Sequence, residues 1–482
     1  MAEGARVDRK AIASSSFASP AFESSVACSF ASPLARFASR GCALGLGRLA
    51  AAALVLVIGL VAVAPSAAAR KPVPASSARP EYRILYTAWI KAGNPVATVR
   101  VRIASHPEWI RWMRLRADPT RYRDFKASGR LEFGDGQVTW IPPRRDAWLQ
   151  FRVNLESQRD VGRYDGRMTE NWALFRADDL VPPVHLDMQD GTQSKAKLTL
   201  ELPDGWSAAT PFPRYASGRF RIDNPNRLFD RPTGWILVGR LGVRRETIGG
   251  TRLSIAGPTG QGVRRLDMLA FFRFTLPTLQ KVFPDLPERL LVVSAGDPMW
   301  RGALSGPGSL FVHAERPLIS ENATSTFIHE LVHVAMRARG GEGADWIVEG
   351  LAEYYSLEVL RRSGAIAERR YQRTHARLAE WAKQAGPLEV ERAHGAVTAR
   401  AVGVLRAVDE EIRRRTDRRA SLDDVVRRLS RSEAVTTESF RAAVEQVAGG
   451  PVSALPASKA PPPQASSAGA ASTPARSLPS VP

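Results

Sequence analysis

The run His329-Glu330-Leu331-Val332-His333 sets two imidazoles four residues apart, with a carboxylate beside the first. On a helix, residues four apart lie one turn above each other on the same face. Two neutral imidazoles placed so can share one zinc ion, and Glu330 can then take a proton from a water on that metal. The chain has only 7 His in 482 residues. Chance placement at that frequency yields roughly one such match per hundred chains of this length. The competing reading is a pair of histidines on a buried helix face with no metal.

Two histidines leave zinc short of protein ligands, so a third must come from elsewhere. Glu349 is the best candidate, in the stretch Trp346-Ile-Val-Glu-Gly-Leu-Ala-Glu-Tyr354. It follows a short Gly-containing turn, which suits an antiparallel helix pair facing one metal. Glu353 lies one turn further on. Its carboxylate could accept the second ring N–H of a ligand histidine and fix the tautomer, or it could be a solvated helix charge. Tyr354 and Tyr355 read as packing residues. The chemistry implied is metal-assisted hydrolysis, in which zinc polarises a carbonyl and Glu330 passes the proton to the leaving amine. Such a site also needs a donor for the developing oxyanion.

These residues must be positioned by a fold of some size. At 482 residues with 44% hydrophobic and 24% charged residues, the chain is long enough for two or three globular domains. Residues 81–260 carry strand signals. Val99–Ile103 alternates, Leu131–Trp140 reads as two strands around an Asp-Gly turn, and Lys197–Leu202 alternates again. We expect a β-sandwich-like scaffold there. The apolar spacing becomes helical between Asp267 and Val282, and Arg289–Ser294 reads as a buried strand. Ser309–His313 is expected as an edge strand just before the histidine helix. Ser320 or Asn322 should cap that helix and Gly340-Gly341 should end it. A second helix should run from Asp345 to about Arg362. Residues 261–365 then form the zinc-binding part and 366–450 a helical region, where Ser421-Leu-Asp-Asp424 reads as a capping sequence.

The ends of the chain differ in character. Arg36, Arg40 and Arg48 precede an uncharged apolar run, Leu49–Ala64, followed by Pro65-Ser-Ala-Ala-Ala69. This is the pattern of a secretory signal peptide, so export to a periplasmic or extracellular location is expected. Retention as an N-terminal membrane anchor is left open. Residues 1–80 thus serve as signal or anchor plus linker, and residues 451–482, rich in Pro, Ala and Ser, are expected as a disordered tail. The only cysteines, Cys28 and Cys42, fall in the leader, which excludes cysteine zinc sites in the folded region. Net charge is +20, but no nucleic-acid reader motif accompanies it. The basic surface suits anionic lipid or an acidic substrate better, and nucleic acid is not an expected partner.

His329–His333 together with Val348-Glu-Gly-Leu-Ala-Glu-Tyr354 resembles the gluzincin metallopeptidases. The second segment is similar to the Asn-Glu-Gly-Phe-Ala-x-Tyr pattern of that clan's aminopeptidases, which would make Glu349 the third ligand. Val408–Val425 and Thr437–Ala443 resemble the helical end of the glycyl aminopeptidase family, and the likeness covers roughly residues 265–450. It implies an α+β multidomain fold with a thermolysin-like catalytic domain carrying the zinc-binding helix pair.

The resemblance is incomplete. The spacing from His333 to Glu349 is short, which points to a trimmed loop. Gly302-Ala-Leu-Ser305 has Ser where those aminopeptidases carry the Glu that binds a free amine. Arg392-Ala-His-Gly395 stands where the family has Tyr-x-Lys-Gly, whose Tyr stabilises the oxyanion. Tyr371 is the last tyrosine of the chain; Arg392 or His394 could donate instead, each otherwise reading as a surface residue. Two readings follow. One is an exported zinc metallopeptidase acting on peptides or proteins, as an exopeptidase using another acid such as Glu315 or as an endopeptidase. The other is a weakly active or inactive relative that binds peptide or envelope partners.

Overall fold

The computed structural model describes residues 79–222, 229–430 and 432–456. The leader and most of the C-terminal tail, with the readings made for them, lie outside the described residues. Alternation of apolar and polar residues from Glu81 onward builds strands that bury every second side chain. A six-stranded sheet has the spatial order Phe220–Ile222, Gln193–Glu201, Glu81–Trp89, Val96–Ser105, Trp148–Asn154, Tyr122–Ala127. A four-stranded sheet (Val184–Met188, Ile110–Arg116, Gln137–Ile141, Arg130–Gly134) shares its core, which includes Tyr86, Val101, Trp140 and Phe151. The hairpin at Asp135-Gly136 has positive φ at both turn residues, 41° and 70°. A Gly at the second of these positions is the reason such a turn forms cheaply.

The sheet that carries the candidate site begins at Leu241. Its strands are β1 (Leu241–Ile248), β2 (Thr251–Pro258), β3 (Arg289–Val293), β4 (Ala303–Gly306) and β5 (Ser309–Val312), in the order β1-β2-β3-β5-β4. β1 pairs with β2 and β2 with β3, so both strands, which the sequence grouped with the β-rich region, belong to this sheet. The edge strand is β4, not Ser309–His313 as expected. β5 is flanked on both sides, parallel to β3 and antiparallel to β4, and all four of its residues are buried. One face of this sheet (Ile255, Val292, Leu310, Val312) packs on helices. The other (Leu291, Val293, Phe311) packs on Trp172, Leu174 and Trp235 of a further five-stranded sheet.

The helices of this C-terminal part are α1 (Arg265–Val282), α2 (Thr326–Met336), α3 (Asp345–Arg362), α4 (Glu368–Ala382), α5 (Ala396–Arg415), α6 (Leu422–Leu429) and α7 (Thr437–Ala448). Among the described residues no helix is long and apolar enough to cross a membrane. α2 starts later and ends earlier than its sequence suggests. Ser320 and Thr324 close a turn on each other, so the cap falls to Ser325, whose Oγ accepts from the Ile328 N–H. At the other end Arg337 takes the left-handed conformation at φ 57° and its N–H donates to the His333 carbonyl. Its guanidinium holds the Asp285 carbonyl at 3.0 Å, which offsets the cost of a non-glycine residue there. Gly340, the expected stop, pairs instead with Val435 in a short parallel bridge. The Ser421–Asp424 capping box forms as read.

Candidate metal centre

α2 buries Phe327, Ile328, Leu331 and Val332 against the core and leaves His329, Glu330 and His333 on its less buried side. Phe327 meets the rings of Phe271 and Phe272 from α1, each with centroids 6.2 Å away, and this fixes the rotation of α2. Its first turn is tied to α3 through one side chain. Ser356 Oγ accepts from the Ser325 N–H at 2.8 Å and donates to the Ser325 carbonyl at 3.1 Å.

α3 brings Glu349 to the two histidines. Its approach depends on Gly350, where a Cβ would come within 2.7 Å of Ala401 Cβ and 3.0 Å of Leu405 Cδ1 on α5. The two tyrosines beyond are buried, and both hydroxyls donate to carboxylates: Tyr354 to Asp409 and Tyr355 to Asp423, each at 3.0 Å. They lock α3 to α5 and to the first turn of α6.

The three candidate ligand groups lie close together, with Glu349 reaching each imidazole through a different carboxylate oxygen. His329 Nε2 and His333 Nε2 are 3.2 Å apart, and the Glu349 carboxylate oxygens are 3.3 Å from the first and 3.4 Å from the second. A tetrahedral zinc with ligands at about 2.0–2.1 Å sets its ligand atoms about 3.3 Å apart, so these residues fit the ion. No other group of three such side chains occurs among the described residues. Glu353 Oε2 lies 3.1 Å from His329 Nδ1. In the neutral ring, that contact places the proton on Nδ1 and leaves the Nε2 lone pair facing the triangle.

The electrostatics of the metal-free group point the same way. Burial disfavours charge on His329, but hydrogen bonds to Glu349 and Glu353 outweigh it and push its pKa up to about 10. His333, buried beside that cation, is held below the ordinary imidazole value. Burial would raise Glu349, yet the hydrogen bond to His329 and the two nearby imidazoles keep it below the usual carboxylate range. One imidazolium therefore supplies the positive charge that this cluster of acids demands. A metal ion would replace it.

Beside the triangle lies a cavity of about 280 Å³, bordered by His329, Glu349, Glu353 and His394 among others. His394 is exposed and stands just before α5. Its loop is fastened to the start of α3 by the Ala393 N–H, which donates to Asp345 Oδ2 at 2.8 Å. Arg392 is exposed and does not border the cavity. Glu315 does not border it either; it pairs with Arg301 at 3.2 Å. Ser305 lies on β4, two residues from Ala303 and so on the same face, which Ala303 turns toward the helical core. Asp345, Ser356 and Trp381 shape the site without a motif to announce them, whereas Gly350 falls within the Glu-Gly-Leu-Ala segment. The available signals were a glycine inside a helix and a lone indole on an arginine-rich one.

No protein-family model matches this sequence, and no curated protein matches it. Among solved structures, an aminopeptidase N family protein from Idiomarina loihiensis is similar at 16% identity and a TM-score of 0.56, over 72% of this chain and 70% of that one. An M1 zinc metallopeptidase from Deinococcus radiodurans aligns at 16% identity and a TM-score of 0.49, over 76% and 90%. At such identity the first likeness is one of fold, and the chain shares the mixed α/β architecture of that aminopeptidase N family protein.

Proposed function

We propose that this chain is a zinc-dependent hydrolase of peptide bonds. The observation that carries the reading is the triangle of His329, His333 and Glu349, sized for zinc, with Glu330 on the same turn of α2. One zinc ion held there would supply Lewis acidity to the scissile carbonyl and lower the pKa of the attacking water. Glu330 takes the proton from that water and delivers it to the departing nitrogen, so the C–N bond breaks to give an acid and an amine. Glu353 keeps His329 in the tautomer that presents Nε2. His394, at the cavity, is the donor for the carbonyl oxygen as it gains charge. The aminopeptidase N family fold is a further support.

Ser305 stands where similar aminopeptidases place an amine-binding Glu. Peptides with free and acetylated N-termini therefore decide between exo- and endopeptidase action. The same serine, with Arg392 outside the cavity, favours the second reading of a catalytically weak peptide-binding protein. Export to the periplasm or outside the cell, read from the leader alone, belongs to the proposal.

Glu330→Gln tests it. The variant should keep its zinc and lose hydrolysis of a mixed peptide library by at least a hundredfold, the lower end of what a general base contributes (about 10²–10⁴-fold). A wild-type protein that binds zinc stoichiometrically and cleaves nothing in that library would overturn the hydrolase reading and leave the binding one.

A further inference from the structure

Apart from the metal-side residues, His394 and Thr398, the side chains lining the cavity are apolar. Leu378 and Trp381 come from α4, Ala393 from the loop, and Ala399 from the first turns of α5. Trp381 is 47% exposed, the only exposed large hydrophobic side chain bordering this cavity. An indole left that open is uncommon in a folded protein, and such exposure beside a site marks a contact surface. Gly395, at φ 59°, brings the loop beside the indole, so that a Cβ there would lie 3.5 Å from Trp381 Cζ2.

The charged groups bordering the cavity sit on the metal side. Glu349 and Glu353 are both engaged with histidines, so apart from His394 a charged substrate side chain beside Leu378 and Trp381 meets no counter-charge. Burying it there without a partner is costly. An apolar side chain gains from the same surroundings, and an aromatic one can stack on the indole. At about 280 Å³ the space is near the lower limit for ligand pockets. It holds one side chain rather than a length of peptide.

We propose that Trp381, with Leu378, Ala393 and Ala399, forms a specificity subsite that receives one large apolar side chain, aromatic or branched aliphatic, next to the scissile bond. This rests on the peptide-hydrolase reading. Trp381 is the residue that sets the preference.

The test is a peptide panel varied at the positions flanking cleavage (Phe, Leu, Ala, Asp), with wild type, Trp381→Phe and Trp381→Ala. Wild type should prefer Phe and Leu over Asp. Trp381→Ala should lower kcat/KM for the Phe peptide at least tenfold more than for the Ala peptide, with zinc content unaltered, and Trp381→Phe should restore most of the difference. Cleavage without apolar preference, or equal losses on Phe and Ala peptides, overturns the subsite and leaves the hydrolase intact. If nothing is cleaved, binding decides. Zinc-loaded Glu330→Gln should bind the Phe peptide at least tenfold more tightly than the Asp peptide by calorimetry, and equal affinities would reject the subsite on its own terms.

Discussion

Replacing Glu353 by Ala probes the candidate centre without touching a ligand. Its Oε2 is 3.1 Å from His329 Nδ1, and both side chains are only about one-fifth exposed, 20% and 19%. Little water can enter to substitute for the lost acceptor. Supporting carboxylates of this kind are worth about 10–100-fold in metal affinity, which is about 1.4–2.7 kcal/mol. Zinc affinity measured by competition with a chromophoric chelator should fall by that factor in Glu353→Ala, and by less in Glu353→Gln, which keeps an acceptor oxygen. The same carboxylate helps hold the metal-free His329 protonated, so its removal also relieves proton competition for the metal. The relief shrinks as pH rises toward the His329 pKa of about 10. The affinity loss should therefore be larger at pH 8.5 than at pH 6.5. An unchanged affinity at both pH values, in a variant with wild-type melting behaviour, would refute the assignment of Glu353 as the partner that orients His329.

Further expectations concern the scaffold. Gly→Ala inside a helix ordinarily stabilises by about 0.5–1 kcal/mol, but Gly350→Ala must push against Ala401 and Leu405. It should destabilise by about 1–3 kcal/mol in chemical denaturation, and a stabilised variant would contradict the close contact of α3 and α5. Buried Glu358, kept ionised by Arg361, Arg362 and Tyr371 against the effect of burial, has its pKa lowered to about 2. Its folded-state pKa lies below the unfolded value near 4.5, so its contribution is present above that pH and fades as pH falls toward 2. Burial, aided by the Arg406 charge, lowers His375 to about 4, so the native state resists protonation there and loses stability as pH falls from 6.5 to 4. Each effect is worth about 3 kcal/mol. His375→Gln should flatten the pH 6.5–4 part of the stability curve while leaving the lower part in place, and an unaltered curve would remove His375 from the account.

Much of the helix pair was legible because its signals are local. Spacing of four residues puts His329 and His333 on one face, and the length of the following segment returns Glu349 to them. Helix ends were less legible, since they depend on distant groups. Arg337 can end α2 only because the Asp285 carbonyl accepts its guanidinium, and Ser325 is the cap only because Ser320 and Thr324 are spent on each other. Strand order was hidden for the same reason. Ser309–Val312 reads as a short apolar run whether central or peripheral, and only pairing on both sides settles it. The apolar wall was invisible because Trp381 and Ala399 meet through packing of two helices, with no period or motif linking them. His394 stands at that cavity and Arg392 does not, a difference of two residues that no spacing rule resolves.

The outer strand β4 has a consequence for how this molecule behaves at high concentration. A strand with one open side is a template on which a second chain can add hydrogen bonds, and natural proteins blunt such edges. Here the Leu304 carbonyl accepts from the indole N–H of Trp235 at 2.9 Å, and the Ser305 carbonyl accepts from the Arg176 guanidinium at 3.3 Å. Successive carbonyls of a strand point to opposite sides, so of these two it is that of Ser305 that faces the open border. The border of the sheet closest to the candidate centre offers little purchase for edge-to-edge growth. Loss of the Arg176 side chain would open a seam along which copies could polymerise.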